Sequence, residues 1–355
     1  MQTIACNLCQ SENAQILLRQ RDLLLGLTDE EFSVVRCGTC GLLYLNPRPS
    51  QEEIGRYYPD HYYHTTAAVP KQRSSLERKA KEFSALIKRW IGEDYYGYPS
   101  PTRRGVWRSI RKALLWPEMS RRVLFGRHIM PWVGQGRLLD VGCGTGGNLV
   151  TLQAQGWDVY GIEMSEKAAA RARERVGDRI LAGTLETAPL EKESFDLAFM
   201  SHSLEHFFSP AEALVTVRRL LKPDGMVVIA VPNAASLEAK LFGRWWFPWD
   251  PPRHLYHFDR NSLSRLLRQD GFRVVRTRTG VGSLFFMASL ERAWNHKWSV
   301  ALPGKGLIDK LIARPLCLIA GHLGFGTDIT MFAVKAEPEF GRREAGTRAP
   351  ALERA

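Results

Sequence analysis

The chain of 355 residues has no run of about 18 consecutive apolar residues, so nothing in it reads as a membrane span. No apolar stretch of the signal-peptide kind follows Met1, and a cytoplasmic setting is the expectation. No internal repeat is visible. Acidic residues are in deficit, with 37 Asp and Glu against 49 Lys and Arg, a net charge of +12. The deficit is local, because Lys71 to Arg127 holds 15 Lys and Arg against 5 Asp and Glu, a net of +10. Trp90, Trp107, Trp116, Trp132, Tyr95, Tyr96 and Tyr98 lie within or beside that segment. Basic residues mixed with Trp suit a membrane interface, an anionic substrate or nucleic acid, and a solvated helical lid gives the same pattern. Within it, Leu76–Ile91 reads as an amphipathic helix with Leu76, Phe83, Leu86, Ile87 and Trp90 near one face. Apolar content of 45% and charged content of 24% are those of a soluble globular chain with an ample core.

Cysteine is scarce, at six, yet four of the six form two pairs, Cys6-x-x-Cys9 and Cys37-x-x-Cys40. Two knuckles of this spacing can present four thiolates tetrahedrally to Zn²⁺, and a cytosolic setting argues against disulfides. The 27 residues between the pairs exceed the usual gap, which a β-hairpin insert would absorb. Gly38 and Gly41 supply the tight turn of the second knuckle. With four protein ligands such a metal is structural, while a redox or metal-free cysteine cluster is the other reading. Cys143 and Cys317 stand alone and read as small packing residues.

The stretch Leu138-Leu139-Asp140-Val141-Gly142-Cys143-Gly144-Thr145-Gly146-Gly147 reads as a buried strand running into a glycine turn and a helix. Glycines there turn the chain sharply and leave no side chain between backbone and a bound nucleoside. Gly142, Gly144 and Gly147 also satisfy the loose dinucleotide pattern. Asp140 separates the readings, since a carboxylate beside the turn repels a pyrophosphate. S-adenosylmethionine has no phosphate there and carries an ammonium and a sulfonium, so the same carboxylate helps. Glu163, ending the next apolar run, is placed to accept hydrogen bonds from ribose hydroxyls.

From Arg137 onward strand and helix alternate, the pattern of a doubly wound parallel sheet. Strands are expected at Arg137–Val141, Trp157–Glu163, Arg179–Ala182, Phe195–Met200 and Met226–Val231. Helices fall between them at Asn148–Gln155, Glu166–Val176 and Pro210–Leu221, and Lys222-Pro223-Asp224-Gly225 reads as a turn. Phe272–Arg278 and Asp328–Lys335 are two further strands, the last expected antiparallel. Between them, Gly282–Leu290 and Leu311–Gly326 are apolar stretches too short and interrupted to span a bilayer. They fit either helices packed on the sheet or segments dipping into a membrane interface. The expected organisation is a zinc-binding module at 1–49, a basic aromatic helical connector at 50–134, a main domain at 135–336 and a disordered tail at 337–355.

Over roughly Arg137 to Lys335 the chain resembles class I SAM-dependent methyltransferases. The resemblance rests on Leu138–Gly146, Glu163, Phe195-Asp196-Leu197, Leu204-Glu205-His206 and Leu221-Lys222-Pro223-Asp224-Gly225. It implies a seven-stranded sheet whose last strand is inserted antiparallel. It also implies a SAM pocket built from Asp140, Gly142, Cys143, Gly144, Gly146, Glu163, Met164, Thr184, Leu185 and Ser201. Where the family carries an adenine-contacting Asp, this chain reads Ala182-Gly183-Thr184-Leu185-Glu186, which passes that contact to Thr184 or to backbone. Cys6–Cys9 with Cys37–Pro49 resembles the zinc-binding module that precedes sugar C-methyltransferases. Trp249–Phe258 resembles a stretch of bacterial methyltransferases from polysaccharide and natural-product gene clusters.

Methyl transfer to nitrogen, oxygen or carbon generally needs a proton removed as well. His202 is the first candidate base, because the ligand crevice of such a sheet lies beyond the carboxyl ends of its strands. On a helix His202, Glu205 and His206 would share a face, and could equally bind a divalent ion or orient loops. The ion reading follows ubiquinone-type O-methyltransferases, which have an acid at the place of His202. His254 and His257 are the second candidates, after the aromatic run Trp245–Trp249 that the resemblance folds over the acceptor pocket. Arg253 beside them suits a phosphate or carboxylate on the acceptor. The expected function is methyl transfer to a sugar, polyketide-like or lipid-linked small molecule, with nucleotide-linked acceptors compatible and peripheral membrane contact compatible. The alternatives are a quinone O-methyltransferase, an RNA- or protein-modifying enzyme, and a SAM-binding scaffold. Nucleic acid is disfavoured, since Ser201-His202-Ser203-Leu204 stands where base-amine methyltransferases show Asn/Asp-Pro-Pro-aromatic.

Overall fold

The computed structural model describes residues 1–59, 75–100, 105–126 and 128–336, without the side chains of 75–82. The tail 337–355 and the side chain of Leu76 lie outside the described residues. The first 45 residues supply β1 (Ala14–Gln20), β2 (Phe32–Cys37) and β3 (Leu43–Leu45). β1 and β2 form the antiparallel hairpin that absorbs the residues between the cysteine pairs. The connector supplies α1 (Ser75–Tyr95) and α2 (Val106–Leu124), packed around Ile91, Tyr96, Leu115 and Ile129.

From residue 137 the order is β4 (Arg137–Val141), α3 (Gly147–Gln153), β5 (Asp158–Glu163), α4 (Glu166–Val176), β6 (Ile180–Ala182), β7 (Phe195–Ser201), α5 (Pro210–Leu220) and β8 (Leu221–Pro232). Then come α6 (Leu237–Phe242), β9 (Tyr256–His257), α7 (Arg260–Gln269), β10 (Phe272–Thr279) and α8 (Leu284–Trp298). Finally α9 (Lys305–Ile308) runs through one π-helical turn, Asp309–Ala313, into α10 (Arg314–His322), and β11 (Asp328–Lys335) closes the chain. Caps mark the helix starts: Ser165 accepts from the Ala168 N–H, Ser236 from Ala239, and Asp259 forms a capping box with Ser262.

Seven strands form one sheet in the order β10-β11-β8-β7-β4-β5-β6, parallel except for β11, which pairs antiparallel with both neighbours. The expected α/β architecture and the inserted antiparallel strand are both present. Strand order reverses at β4/β7, so the ligand crevice is expected beyond the carboxyl ends of these two strands. One expectation is corrected: Lys222–Gly225 is no free turn but lies inside β8. Leu221 pairs with Phe195 and Met226 with Leu197, so the tetrapeptide bulges out while β7 advances only two residues. The apolar insertion is helical, as α8, α9 and α10. Among the described residues no helix is long and apolar enough to cross a membrane.

A second sheet, β1-β2-β3-β9, joins the N-terminal strands to the segment before α7, because Leu43 pairs with His257 and Tyr44 with Tyr256. One hydrophobic core then runs from Phe32, Val34 and Tyr44 into Trp246, Trp249 and Phe258 and on to β7 and β8. Arg253 seals the junction. It is 0% exposed, and its guanidinium donates to Asp22 at 2.5 Å and to Asp250 at 2.6 Å. Asp22 also accepts N–H bonds from Leu24, Leu25 and Leu27, so it closes the turn after β1 while holding Arg253. This corrects the reading of Arg253 as an acceptor-binding residue, because both edges of its planar fork are spent on buried carboxylates. Truncating Arg253→Met leaves the buried Asp22 and Asp250 carboxylates without their cation. Urea unfolding at pH 7 should show a loss of about 3–5 kcal/mol, the range for breaking a buried pair from one side.

Candidate functional site

The turn after β4 needs its glycines for three different reasons. Gly142 has φ of +78°, and a Cβ there would lie 2.7 Å from that of Ser203. Gly146, at φ of +76°, lets α3 pack on Ala172 of α4. Gly144, at φ of +55°, faces open space. That space is a cleft of about 640 Å³ lined by Gly142, Gly144, Glu163, Met164, Thr184 and Leu185, with His202, Ser203 and His206 at one end. Gln51, Ile54 and Tyr58, just beyond β3, complete its wall. Asp140, Cys143, Gly146 and Ser201 do not line the cleft. Cys143 has its sulfur against Gly161 of β5, and Ser201 stands at the end of β7.

Two carboxyl groups sit behind the turn. Glu163 accepts from the Gly144 N–H at 2.8 Å and the Ser165 N–H at 2.9 Å, which ties the cleft wall to the turn. Asp140 is 1% exposed, and neither of its oxygens has a hydrogen-bond partner among the described residues. Burial, and then the Glu163 charge, push its carboxyl up to about 7. Such a group is costly unless something donates to it or brings positive charge near.

His202 follows β7 with φ of +51°, a conformation few non-glycine residues adopt. Its N–H donates to Ala230 O at 2.8 Å, and its Nδ1 lies 3.6 Å from Glu205 Oε1. Burial works against a charged imidazole, but Glu205 and Asp328 outweigh it and hold the His202 pKa above the ordinary value. Glu205 itself is fully buried. Burial alone would raise its carboxyl, and His202, His206 and His254 hold it well below the usual range.

The 202–206 segment is not a regular helix but one 3-10 turn, Leu204–His206. The grouping therefore differs from the expected one: Glu205, His206 and His254 place three donor atoms within 4.8 Å of one another, and His202 is not among them. His206 Nδ1 bonds Tyr58 Oη at 2.9 Å and Arg253 O at 3.0 Å, while His254 Nδ1 bonds Pro248 O at 2.8 Å. Both side chains are thereby fixed in orientation. Burial, with the His254 charge, brings His206 down to about 4, so it is neutral at pH 7. His257 is 3% exposed in β9, away from the cleft lining, and burial pushes its pKa far down. Within the aromatic run, Trp246 and Trp249 lie in the core, edge to face with each other, and do not face a pocket.

At the N-terminus, Cys6 Sγ lies 3.4 Å from Cys40 Sγ and Cys9 Sγ 3.5 Å from Cys37 Sγ, all four within 4.8 Å of one another. Four thiolates around one Zn²⁺ stand about 3.8 Å apart, as 2.3 Å bonds in a tetrahedron require. The two knuckles match, with Cys6 receiving the Leu8 and Cys9 N–H groups and Cys37 those of Thr39 and Cys40. Burial would raise the Cys37 thiol, but those N–H groups and the neighbouring sulfurs bring it down to about 6. The donor set fits the ion.

Sequence reasoning missed Asp22, Tyr58 and Asp328. Each acts across more than 100 residues of chain, and no local pattern marks it.

A methyltransferase-domain family model matches residues 104–277. An uncharacterized methyltransferase of a Geobacillus species is 30% identical over 153 residues, 40% of this chain and 71% of that protein. An O-methyltransferase of Penicillium expansum is 30% identical over 160 residues, 42% of this chain and 56% of its own length. A ubiquinone biosynthesis O-methyltransferase of Roseobacter denitrificans is 30% identical over 155 residues, 38% of this chain and 62% of its own length. The chain thus spans little more than half of the length of the last two.

The buried Asp140 carries a pH signature that needs no substrate. In the unfolded chain the carboxyl ionises near ~3.9, whereas in the fold it stays neutral up to about 7. The fold is therefore favoured below the unfolded pKa, and that advantage is lost as pH rises through 7. Asp140→Asn should raise the melting temperature of the ligand-free protein by several degrees at pH 8. The gain should shrink as pH falls towards 4, and a gain independent of pH would contradict the assignment.

Proposed function

The chain belongs to the methyltransferase-domain family, and on that premise we propose that it is a SAM-dependent methyltransferase acting on a small-molecule acceptor. The observation that carries this reading is Asp140, a buried carboxyl with no hydrogen-bond partner among the described residues, behind an open glycine turn. A ligand that brings cationic charge and hydrogen-bond donors relieves it, and a pyrophosphate does not. The Gly144 backbone, Glu163, Met164, Thr184 and Leu185 would hold the cofactor, which when bound supplies an electrophilic methyl group. His202 stands at the end of the same cleft. Glu205 faces its Nδ1 and favours a proton there, which leaves Nε2 to take the proton of the acceptor. Relatives named as O-methyltransferases make a hydroxyl-bearing acceptor the first to test. Closing reacting groups into one geometry supplies much of the rest of the rate.

A second reading is favoured by the convergence of Glu205, His206 and His254, whose donor atoms could gather around a divalent ion beside the cleft. Loss of turnover on chelation, restored by Mg²⁺ or Mn²⁺, would move the chemistry to that cluster.

We also assign a structural Zn²⁺ to Cys6, Cys9, Cys37 and Cys40, on the fit of the sulfur spacing. Anaerobically purified protein should contain about one zinc per chain. Cys37→Ser should lower the melting temperature without lowering turnover of the folded fraction. Protein that is fully folded and free of zinc would overturn the assignment.

Replacing Gly144 by Trp fills the open space at a cost of about 1–2 kcal/mol for its left-handed backbone. SAM binding by calorimetry should vanish while the fold survives. His202→Ala should cut turnover roughly 10²–10⁴-fold with SAM affinity little changed. Because His202 is the base in its neutral form, its raised pKa places the acidic limb of the pH–rate profile above ~6.5. Glu205→Gln removes the anion that raises it, so the limb should move to lower pH. A limb that stays in place would remove His202 from the base role.

A further inference from the structure

A second and larger cavity, about 1360 Å³, lies over the sheet, and its lining includes Ala230, the strand partner of Ser201. Its floor is the face of the sheet carrying Phe199 of β7, Val228 and Ala230 of β8, and Thr330 and Phe332 of β11. Its walls are Met130 and Phe125 after α2, the loop 280–284, and α9 through α10. Apolar side chains dominate this lining, and the volume exceeds the roughly 300–1,000 Å³ of ordinary small-molecule pockets. Exposed Leu284, Lys310 and Arg314 stand at the rim.

His202 lines the cofactor cleft and is bonded to a residue that lines this chamber. Its N–H is held by the carbonyl of Ala230 on the chamber floor, and its ring lies 6.0 Å from that of Phe285. Across the sheet, Ser201 is paired with Ala230, Ala230 with Thr330, and Thr330 with Arg278. Arg278 lines the far end of the chamber beside His128, whose Nδ1 has no partner among the described residues. Burial, and then the like charge of Arg276, pull the Arg278 guanidinium down to about 10, against a hydrogen bond with Tyr96 that works the other way. Three strand spacings of about 4.8 Å place Arg278 roughly 14 Å from the β7 end.

We propose that this chamber is the acceptor site, and that the acceptor is an elongated apolar molecule with an anionic group held by Arg278, three strands away from the β7 end where His202 deprotonates it. The inference rests on the methyltransferase reading and deepens it by naming the substrate class. A phosphate and a carboxylate share the required chemistry. A compact sugar or a free nucleotide would leave most of the floor bare, because neither has an apolar body to cover it.

Calorimetry on the full chain tests the inference, with SAM titrated first. Failure to bind SAM would count against the cofactor reading and leave the chamber to be judged by the remaining titrations. The acceptor probes are decyl phosphate, decanoate, butyl phosphate and inorganic phosphate, all below micelle-forming concentrations. One or both of the ten-carbon anions should bind, and the short phosphates should bind at least tenfold more weakly. A preference for decyl phosphate assigns a phosphate acceptor, and one for decanoate a carboxylate. Arg278→Gln should weaken the preferred probe at least tenfold. Gly282→Trp and Gly306→Trp fill the chamber, since nothing lies within 4 Å of where either Cβ would stand. Both should abolish probe binding and leave SAM affinity unchanged, which also shows that the variants fold. Probe binding that is absent in the wild type, or equal in all three variants, overturns the proposal.

Discussion

The buried Arg253 is the constraint on which the rest depends. It reaches Asp22 after β1 and Asp250 before β9, both over distances within hydrogen-bond range and with no solvent between. A buried charge left half paired costs several kcal/mol, so these segments have little freedom to separate. The same arrangement places the His254 Nε2 within 4.0 Å of Asp250, and the Arg253 carbonyl accepts from His206. Arg292 of α8 feels both carboxylates and donates to Phe247 O, which brings the C-terminal insertion into the same charge balance. The strand β9 continues the N-terminal sheet from this point, and the wall of the cleft formed by Gln51, Ile54 and Tyr58 follows from β3.

With that frame closed, the sheet decides where the chemistry sits. β4 and β7 are neighbours at the point where strand order reverses, so the glycine turn and His202 emerge side by side although 58 residues separate Gly144 from His202. Their electrostatics are opposed. Asp140 is buried with an acidic neighbour and resists ionising, whereas Glu205 is buried among three histidines and stays ionised. Pairs of titratable groups whose surroundings push them apart are the common mark of a functional site. The left-handed backbone at His202 points the same way, because strain of this kind persists only where the surroundings hold it.

The local patterns were legible. Arg137–Val141, Glu166–Val176 and Asp328–Lys335 have the expected limits, and the 27-residue gap between cysteine pairs holds the expected hairpin. Each follows from near-neighbour rules: a fully buried parallel strand is continuously apolar, a helix starts at a Ser cap, and a turn needs glycine. Lys222–Gly225 was misread because Pro, Asp and Gly favour a turn whether or not the strand closes around it as a bulge. Trp246 and Trp249 were misread because an aromatic run shows how much surface it must bury and not against what. Arg253 looks like any exposed arginine until Asp22, 231 residues away, is beside it.

The sequence by itself determined the alternation of strand and helix, the glycine turn with its acids, and the knuckle spacing of the thiols, because each depends on contacts within a few residues. Tertiary structure alone decided which histidines share a carboxylate, which arginine is structural, and which histidine stands at the end of the cofactor cleft. Those outcomes depend on pairings across more than 40 residues of chain, and charge and burial at such a point belong to every segment that packs there.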